Sequence, residues 1–479
     1  MDTDLKSIQE VRELIAKAKL AQKKLSEMSQ DEIDRIVKAI SDSAYNNAEK
    51  LGKMAEEETG FGKWQDKIVK NTFASKGVYE YIKDLKTVGI ISEDKEKRLV
   101  EVAVPVGVIA GLIPSTNPTS TAIYKAMIAI KAGNSIVFSP HPGAKKCILE
   151  TVKIVSEAAV VAGAPEGAIG CMSIPTMQGT DELMKHSDVA LILATGGTPM
   201  VKAAYSSGNP AIGVGPGNGP AFIERSADIT LAVKRILDSK TFDNGTICAS
   251  EQSIVVEACI KDKVVSQLKA QGAYFLNKEE ADILSGFILR SNGSMNPQIV
   301  GKSVEVIAKM ANLKIPTFAR VLIAQETKVG QKYPYSREKL APILGFYCEE
   351  NWEKACAKCI EILNNEGAGH TLIIHSNNES IIREFALKKP VSRLLVNTPG
   401  AQGGIGATTN LVPALTLGCG AVGGSATSDN VGPMNLLNIR RLAYGAREIE
   451  DLVDSGNTSN EETINRIVEK VIEKLRDQL

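Results

Sequence analysis

Apolar residues Leu5, Ile8, Val11, Leu14 and Ile15 recur at helical spacing, so the chain should open with an amphipathic helix. Ser29 with Glu32 three residues on predicts a capping box at the head of a helix over 30–44. Near residue 104 the texture changes. The run 104–114 reads as one buried strand ending in a turn; Pro118 then opens a helix to about 131, stopped at Gly133. Short apolar runs alternate with helical ones from there on. Strands are expected over 134–139, 168–174, 189–194 and 211–214, and helices over 145–161, 180–186 and 199–206. These strands are apolar throughout rather than on alternate residues, the signature of a parallel sheet covered on both faces. Ligands of such sheets bind beyond the carboxyl ends of the strands. The loops 113–117, 139–143 and 195–199 should therefore share one binding edge.

A second α/β unit runs from about 228 to 410, with strands expected over 252–257, 317–324, 343–347, 371–375 and 393–397. After Gly445 the composition shifts. Residues 454–460, Asp-Ser-Gly-Asn-Thr-Ser-Asn, form a polar linker. It leads to a terminal helix over 461–479 with Ile464, Ile467, Val468, Val471, Ile472 and Leu475 on one stripe. The chain carries no internal repeats.

Composition narrows the function classes. At roughly 150 residues per domain, 479 residues make two to three domains. Lys+Arg and Asp+Glu are 56 each, which argues against a nucleic-acid binder built on clustered excess base. A 43% hydrophobic and 23% charged composition is that of an ordinary soluble globular chain. No stretch reaches the roughly 18 apolar residues of a membrane helix, and residues 1–19 lack the apolar core of a secretory signal. The eight scattered cysteines are therefore read as cytosolic free thiols. Cys356 and Cys359 form a C-x-x-C inside the helical run 352–363. No second pair stands at zinc spacing, so they read as ordinary helix residues and no metal is expected.

The most informative segment is 241–252, Thr-Phe-Asp-Asn-Gly-Thr-Ile-Cys-Ala-Ser-Glu-Gln. A cysteine in a Gly/Asn turn before a strand can be exposed and ordered at once, and turn N–H groups can stabilise a thiolate and a later oxyanion. Alone, Cys248 would be a small buried cysteine. It is accompanied, in order, by 113–118 (Ile-Pro-Ser-Thr-Asn-Pro), 139–142 (Ser-Pro-His-Pro), 194–197 (Ala-Thr-Gly-Gly), 213–220 (Gly-Val-Gly-Pro-Gly-Asn-Gly-Pro), 338–342 (Glu-Lys-Leu-Ala-Pro), 402–406 (Gln-Gly-Gly-Ile-Gly) and 415–420 (Leu-Thr-Leu-Gly-Cys-Gly). On these motifs the chain resembles the aldehyde dehydrogenase superfamily over about residues 5–447. Within it, it is similar to the CoA-acylating branch: the aldehyde dehydrogenase half of bifunctional aldehyde–alcohol dehydrogenases and the acylating enzymes of bacterial microcompartments.

The resemblance implies an α/β aldehyde dehydrogenase fold. A Rossmann-like cofactor domain would cover 1–226 with 410–445 returning to it, and an α/β catalytic domain 227–409. Strands near 97–104 and 436–443 would form a small oligomerisation element that builds homodimers or tetramers. Cys248 becomes the nucleophile that adds to an aldehyde, passes hydride to a nicotinamide, and hands its thioester to coenzyme A. Asn117 fits a helix N-cap by position, and the resemblance adds an oxyanion role for its amide.

Cofactor contacts are implied at Ser115, Thr116, Ser139, Pro140, His141, Pro142, Thr195, Gly196, Gly197 and Gly215, with Glu338 at the nicotinamide ribose. The Gly-Gly turn before a helix suits a pyrophosphate. No carboxylate is evident for a 2′-hydroxyl, so NAD is expected with NADP left open. His370 matches the acylating branch; a role at the nicotinamide or CoA thiol and a purely structural role stand equal. Hydrolytic members carry a water-activating glutamate at the place of Val214; its absence favours acyl-CoA over free acid.

The short aldehyde expected is acetaldehyde or propionaldehyde. CoA-dependent succinate-semialdehyde oxidation and hydrolytic oxidation are the alternatives on this fold, and a non-catalytic interaction subunit is the alternative of another class. The terminal helix resembles an encapsulation peptide that engages a microcompartment shell protein, against a helix docked on its own enzyme. Cytoplasmic placement inside a microcompartment follows from that reading.

Overall fold

The computed structural model describes residues 2–449 and 458–476. Met1–Thr87 and Pro105–Leu437 make one compact unit that contains two parallel sheets. The first sheet has five strands in the order Ile169–Cys171, Ser135–Pro140, Val108–Ile113, Val189–Thr195, Ala211–Val214. Two of its three inner strands, Val108–Ile113 and Ser135–Pro140, are buried at every position, as a sheet covered on both faces requires.

The opening helix spans Thr3–Leu25 and packs Val11, Ile15 and Ala18 against Val108, Ala110, Leu112 and Val137. Burying Val11 and Ile15 completely stabilises the unit by roughly 1.5–3 kcal/mol each. The stripe of large apolar residues is only half of the buried face. Leu5 is 56% exposed, and Ser7, Ala18, Ala21 and Leu25 complete the contact instead. Small residues serve there because the neighbouring backbone is close: a Cβ on Gly179 would stand 2.0 Å from the Ser7 hydroxyl. The second helix, Gln30–Asn46, begins with the expected capping box between Ser29 and Glu32.

The expected single strand over 104–114 is two strands in two sheets, Leu99–Pro105 and Val108–Ile113. Pro105 offers no N–H to continue a ladder. Gly107 at φ +134° turns the chain, its N–H donating to the Asn134 side chain at 2.9 Å.

The second sheet has seven parallel strands in the order Ala273–Phe275, Val321–Gln325, Ile343–Glu349, Ser253–Glu257, Pro220–Ile223, Gly369–His375, Val391–Val396. Alternate residues feed separate cores. Ala221, Ile223, Ile254 and Val256 pack on one face, and Phe222 and Val255 on the other with Tyr347, Cys356 and Cys359. Both cysteines are buried positions of the helix Trp352–Asn365. Pro220–Ile223 pairs in this sheet, so the chain changes sheets across 215–219, before the boundary expected at 226.

The other unit comprises Val88–Val104 and Asn438–Leu479. It holds a three-stranded sheet of Gly89–Asp94, Leu99–Pro105 and Leu437–Ala443, the first two antiparallel. Its terminal helix runs Thr458–Arg476, starting three residues before the expected 461, and its aliphatic stripe is exposed. Residues 454–457 of the expected linker lie outside the described residues. No helix among the described residues is long and apolar enough to cross a membrane.

Candidate active site

A cavity of about 510 Å³ is lined from both parallel sheets. The expected loops at the carboxyl ends of the five-stranded sheet all reach it. Ser115, Thr116 and Asn117 follow Val108–Ile113, the run Ser139, Pro140, His141 and Pro142 closes Ser135–Pro140, and Thr195, Gly196 and Gly197 close Val189–Thr195. Gly215 and Val214 add the end of the fifth strand, and Cys248 and Glu338 come from the loops ahead of seven-stranded-sheet strands. His370 stands behind this wall, fully buried near the start of Gly369–His375.

The loop that carries Cys248 is held by an unusual backbone. Asp243, Asn244 and Gly245 take φ of +47°, +52° and +76° in succession. Asp and Asn are the side chains that tolerate this left-handed region best, and Gly pays nothing for it. The conformation is fixed from outside the loop. The Asp243 carboxylate accepts from the Lys63 N–H at 2.7 Å, Lys67 Nζ at 3.0 Å, Lys70 Nζ, and the Thr246 hydroxyl at 2.9 Å. Asn244 donates to the Gly301 carbonyl at 2.9 Å. Burial works against the Asp243 charge, but the two ammonium groups hold its pKa below the usual carboxylate range.

Behind Cys248 runs the segment 213–220. A Cβ on Gly217 would lie 1.9 Å from the Cys248 carbonyl oxygen, so only glycine lets this strand end pass the nucleophile. The Gly217 N–H donates to Glu338 Oε1 at 2.8 Å.

Cys248 Sγ lies 3.2 Å from His370 Nε2, and His370 Nδ1 lies 2.9 Å from the Thr371 hydroxyl. Arg393 fixes the far end, donating to Thr371 Oγ1 at 3.4 Å and to the Gly418 carbonyl at 2.6 Å. Desolvation first, and the Glu338 carboxylate second, push the Cys248 thiol up to about 12. Desolvation and then the Arg393 cation push His370 down to about 3. The resting pair is thus a neutral thiol beside a neutral imidazole. With the imidazole proton on Nδ1 toward Thr371, Nε2 is left as an acceptor facing the thiol.

Asn117 occupies the N-cap position of the helix Pro118–Lys131, yet its side chain makes no cap hydrogen bond. Its Oδ1 accepts from Lys70 Nζ at 2.6 Å and its Nδ2 donates to the Thr246 carbonyl at 3.2 Å. The amide is tied to the nucleophile loop rather than to its own helix.

On the cofactor side, Ser139 shares a hydrogen bond with Thr180 at 2.8 Å, and His141 Nδ1 accepts from the Gly143 N–H at 3.0 Å. Gly196 and Gly197 lead into the helix Thr198–Tyr205. A Cβ on either would come no nearer than 3.6 Å to its neighbours, so the space they leave belongs to the cavity. This is a backbone cradle at a helix N-terminus and fits a pyrophosphate. Glu338 lies at the same wall with its carboxyl raised to about 8, by burial and then by Glu366.

Sequence reasoning missed several groups. Lys70, Arg393 and Asp243 lie 47, 25 and 176 residues from their partners Asn117, Gly418 and Lys67, so no local pattern links them. Asp181 also lines the cavity, its carboxylate paired with Lys185 at 2.8 Å; its helix spacing gave no sign of that.

Known proteins bear on this arrangement. The aldehyde dehydrogenase family profile matches residues 2–336. A bifunctional aldehyde-alcohol dehydrogenase of Escherichia coli is 43% identical over 448 residues, which is 92% of this chain and 50% of that protein. The chain spans about half the length of the curated aldehyde-alcohol dehydrogenases it matches first. An acetylating aldehyde dehydrogenase from Geobacillus thermoglucosidasius superposes with a TM-score of 0.92 at 55% identity, covering 94% of this chain and 99% of that one. A propionaldehyde dehydrogenase from the fucose utilisation microcompartment of Clostridium phytofermentans gives 0.83 at 29% identity, covering 92% and 98%. With a cysteine ahead of a parallel strand, an asparagine amide beside its loop and a glycine cradle in one cavity, the chain belongs to the aldehyde dehydrogenase family.

Proposed function

We propose that this protein oxidises a short aldehyde, acetaldehyde or propionaldehyde, to its coenzyme A thioester while reducing NAD. The single observation that carries the reading is Cys248 Sγ at 3.2 Å from His370 Nε2 in a wall of the cavity. As Sγ attacks the carbonyl carbon, the thiol proton passes to His370 Nε2 and the carbonyl electron pair becomes an oxyanion. The Asn117 amide is the donor for that oxyanion. The residues that would hold NAD are the 139–142 and 195–197 turns, Gly215 and Glu338. Bound there, its nicotinamide supplies the acceptor for the hydride that leaves the thiohemiacetal carbon. Cys248 then carries a thioester. The thiolate of coenzyme A adds to the thioester carbonyl and expels the Cys248 thiolate, which regains a proton.

Val214 lines the cavity where a water-activating carboxylate would be needed, which supports transfer to a thiol rather than to water. The residues lining the cavity include no lysine or arginine. That supports an uncharged aldehyde over one bearing a carboxylate. It also supports NAD over NADP, whose 2′-phosphate needs a cation.

The test is NADH formation from propionaldehyde with and without coenzyme A, on wild type and Cys248→Ala. Turnover that requires both coenzyme A and Cys248 is the expected result. Steady turnover without coenzyme A overturns acyl transfer, and an inert protein that still binds shell protein supports the interaction-subunit reading instead.

We further propose that the three-stranded sheet mediates homo-oligomer formation and that the helix Thr458–Arg476 engages a microcompartment shell protein. The exposed stripe of Ile464, Ile467, Val468, Val471, Ile472 and Leu475 supports the latter. A fluorescent fusion lacking 455–479 should stay outside compartments; if it enters them, the tail is not the address.

A further inference from the structure

We infer that Lys70 is a positioning residue for the Asn117 amide, setting which of its ends meets the oxyanion. The inference rests on the reading of Cys248 as nucleophile and Asn117 as oxyanion donor.

Lys70 projects from the helix Trp64–Thr72 and is 2% exposed. An ammonium group has three protons and no lone pair. All three are directed: Nζ donates to Asn117 Oδ1 at 2.6 Å, to Asp243 Oδ2 at 2.5 Å and to Thr246 Oγ1 at 2.9 Å. The ammonium is thereby fixed in space, and so is its demand for an acceptor at Asn117. A flipped amide would set its own NH₂ against the cation, donor facing donor, so the flip is forbidden. The NH₂ end is left on the cavity side, where it reaches Thr246 O at 3.2 Å and Thr116 Oγ1 at 3.3 Å. The weaker of these contacts is the one an oxyanion can displace.

Position alone would not give this outcome. An asparagine at an N-cap ordinarily turns its oxygen to the helix N–H groups; here that bond is absent, and the buried cation takes the oxygen instead. Burial lowers Lys70 to about 8 against the pull of Asp243, so it is still mostly charged at neutral pH. The charge behind the amide oxygen polarises the N–H bonds toward the oxyanion. Lys67 supplies the contrast. It is equally buried and bonds the same Asp243 oxygen at 3.0 Å, but no hydrogen bond joins it to Asn117. A lysine needed only to neutralise Asp243 would resemble Lys67.

The test uses a step that needs neither cofactor nor aldehyde. With p-nitrophenyl acetate, Cys248 Sγ adds to the ester carbonyl, a tetrahedral oxyanion forms, and its collapse expels p-nitrophenolate and leaves acetyl-Cys248. The burst rate therefore reports oxyanion formation even if the assignment to coenzyme A fails. Alkylation by iodoacetamide is the control, because displacement at a saturated carbon makes no oxyanion.

Lys70→Met should slow the burst on the order of 10²-fold, as loss of an oriented oxyanion donor does. Its alkylation rate should fall at least about tenfold less than its burst, whereas Lys67→Met, which loosens the same Asp243 anchor without a hydrogen bond to Asn117, should slow burst and alkylation by the same factor. In an Asn117→Ala background, Lys70→Met should cost less than about threefold more, because the group it acts through is gone. Lys70→Gln, which keeps a donor for Asn117 Oδ1 without the charge, should fall between wild type and Lys70→Met; it carries the test if the methionine variant does not fold. Burst and alkylation slowed equally by Lys70→Met, or burst losses at Lys70 and Asn117 that multiply, would overturn the inference.

Discussion

Gly217 leaves no room for even a single methyl group behind the nucleophile. Its missing Cβ would stand 1.9 Å from the Cys248 carbonyl oxygen and 2.8 Å from the carbonyl carbon. Ordinary van der Waals contact begins at 3.4 Å, so Gly217→Ala requires the two backbones to part by about 1.5 Å. Neither can do so cheaply. Gly217 is tied through its N–H to Glu338, and the loop before Cys248 is anchored through Asp243 and Thr246. Overpacking of this kind destabilises by about 1–3 kcal/mol, which a chain of this size should survive. The nucleophile would not remain in place: a misplacement near 1 Å costs about 10²-fold in rate. We expect Gly217→Ala to melt within several degrees of wild type while kcat for coenzyme A-dependent aldehyde oxidation falls at least about 10²-fold. The assay is NADH absorbance at saturating substrates, with circular-dichroism melting beside it. A folded Gly217→Ala with kcat within threefold of wild type would refute the claim that this close approach positions Cys248.

Cys248, with its thiol pushed up to about 12 against an ordinary 9.0, should react with iodoacetamide at pH 7 about 30- to 100-fold more slowly than a free thiol, once the higher nucleophilicity of its thiolate is allowed for. The rate should climb about tenfold per pH unit to pH 8 and more shallowly above, as the Glu338 carboxyl with its pKa of about 8 ionises and disfavours the thiolate. A plateau below pH 8 in the inactivation profile would contradict this, and Glu338→Gln should straighten the line. His370→Ala should lower the p-nitrophenyl acetate burst on the order of 10²-fold at pH 7, with part of the loss restored by added imidazole; an unchanged burst would remove His370 from the proton transfer. Asp181→Ser should raise the preference for NADP relative to NAD about tenfold in kcat/KM by removing a carboxylate from the cavity wall, and an unchanged ratio would place the 2′-group elsewhere.

Strands and helices of the first sheet were legible because their burial follows one simple rule, apolar throughout or apolar on a stripe. The helices over 118–131 and 145–161 fall where the pattern sets them. The opening helix shows where the rule fails: half of its buried face is serine and alanine, chosen for closeness rather than for oiliness, and Leu5 faces water. The run 104–114 looked continuous because valine and isoleucine fill both strands, while the break at Pro105–Gly107 is a matter of backbone geometry. In the site, the strand pattern placed the loops 113–117, 139–143 and 195–199 on one edge and the family resemblance named their residues, and these do line one cavity. Lys70 and Arg393 could not, since each is one basic letter whose partners are set by tertiary packing. His370 was visible as a match to the acylating branch, but its place 3.2 Å from the Cys248 thiol was not.

The left-handed run at Asp243, Asn244 and Gly245 has a bearing on how such a protein can be recombined. The run is held in shape by Lys63, Asp66, Lys67 and Lys70, nearly 180 positions upstream. Gly62 must be glycine because a Cβ there would strike the Asp243 carboxylate at 1.8 Å. The segments 62–70 and 241–248 are therefore one inheritable part written in two places. A chimera that splices two relatives anywhere between them takes its nucleophile loop from one parent and the mould for that loop from the other. Crossovers should succeed when both segments share a parent and fail when they do not, however similar the parents are elsewhere.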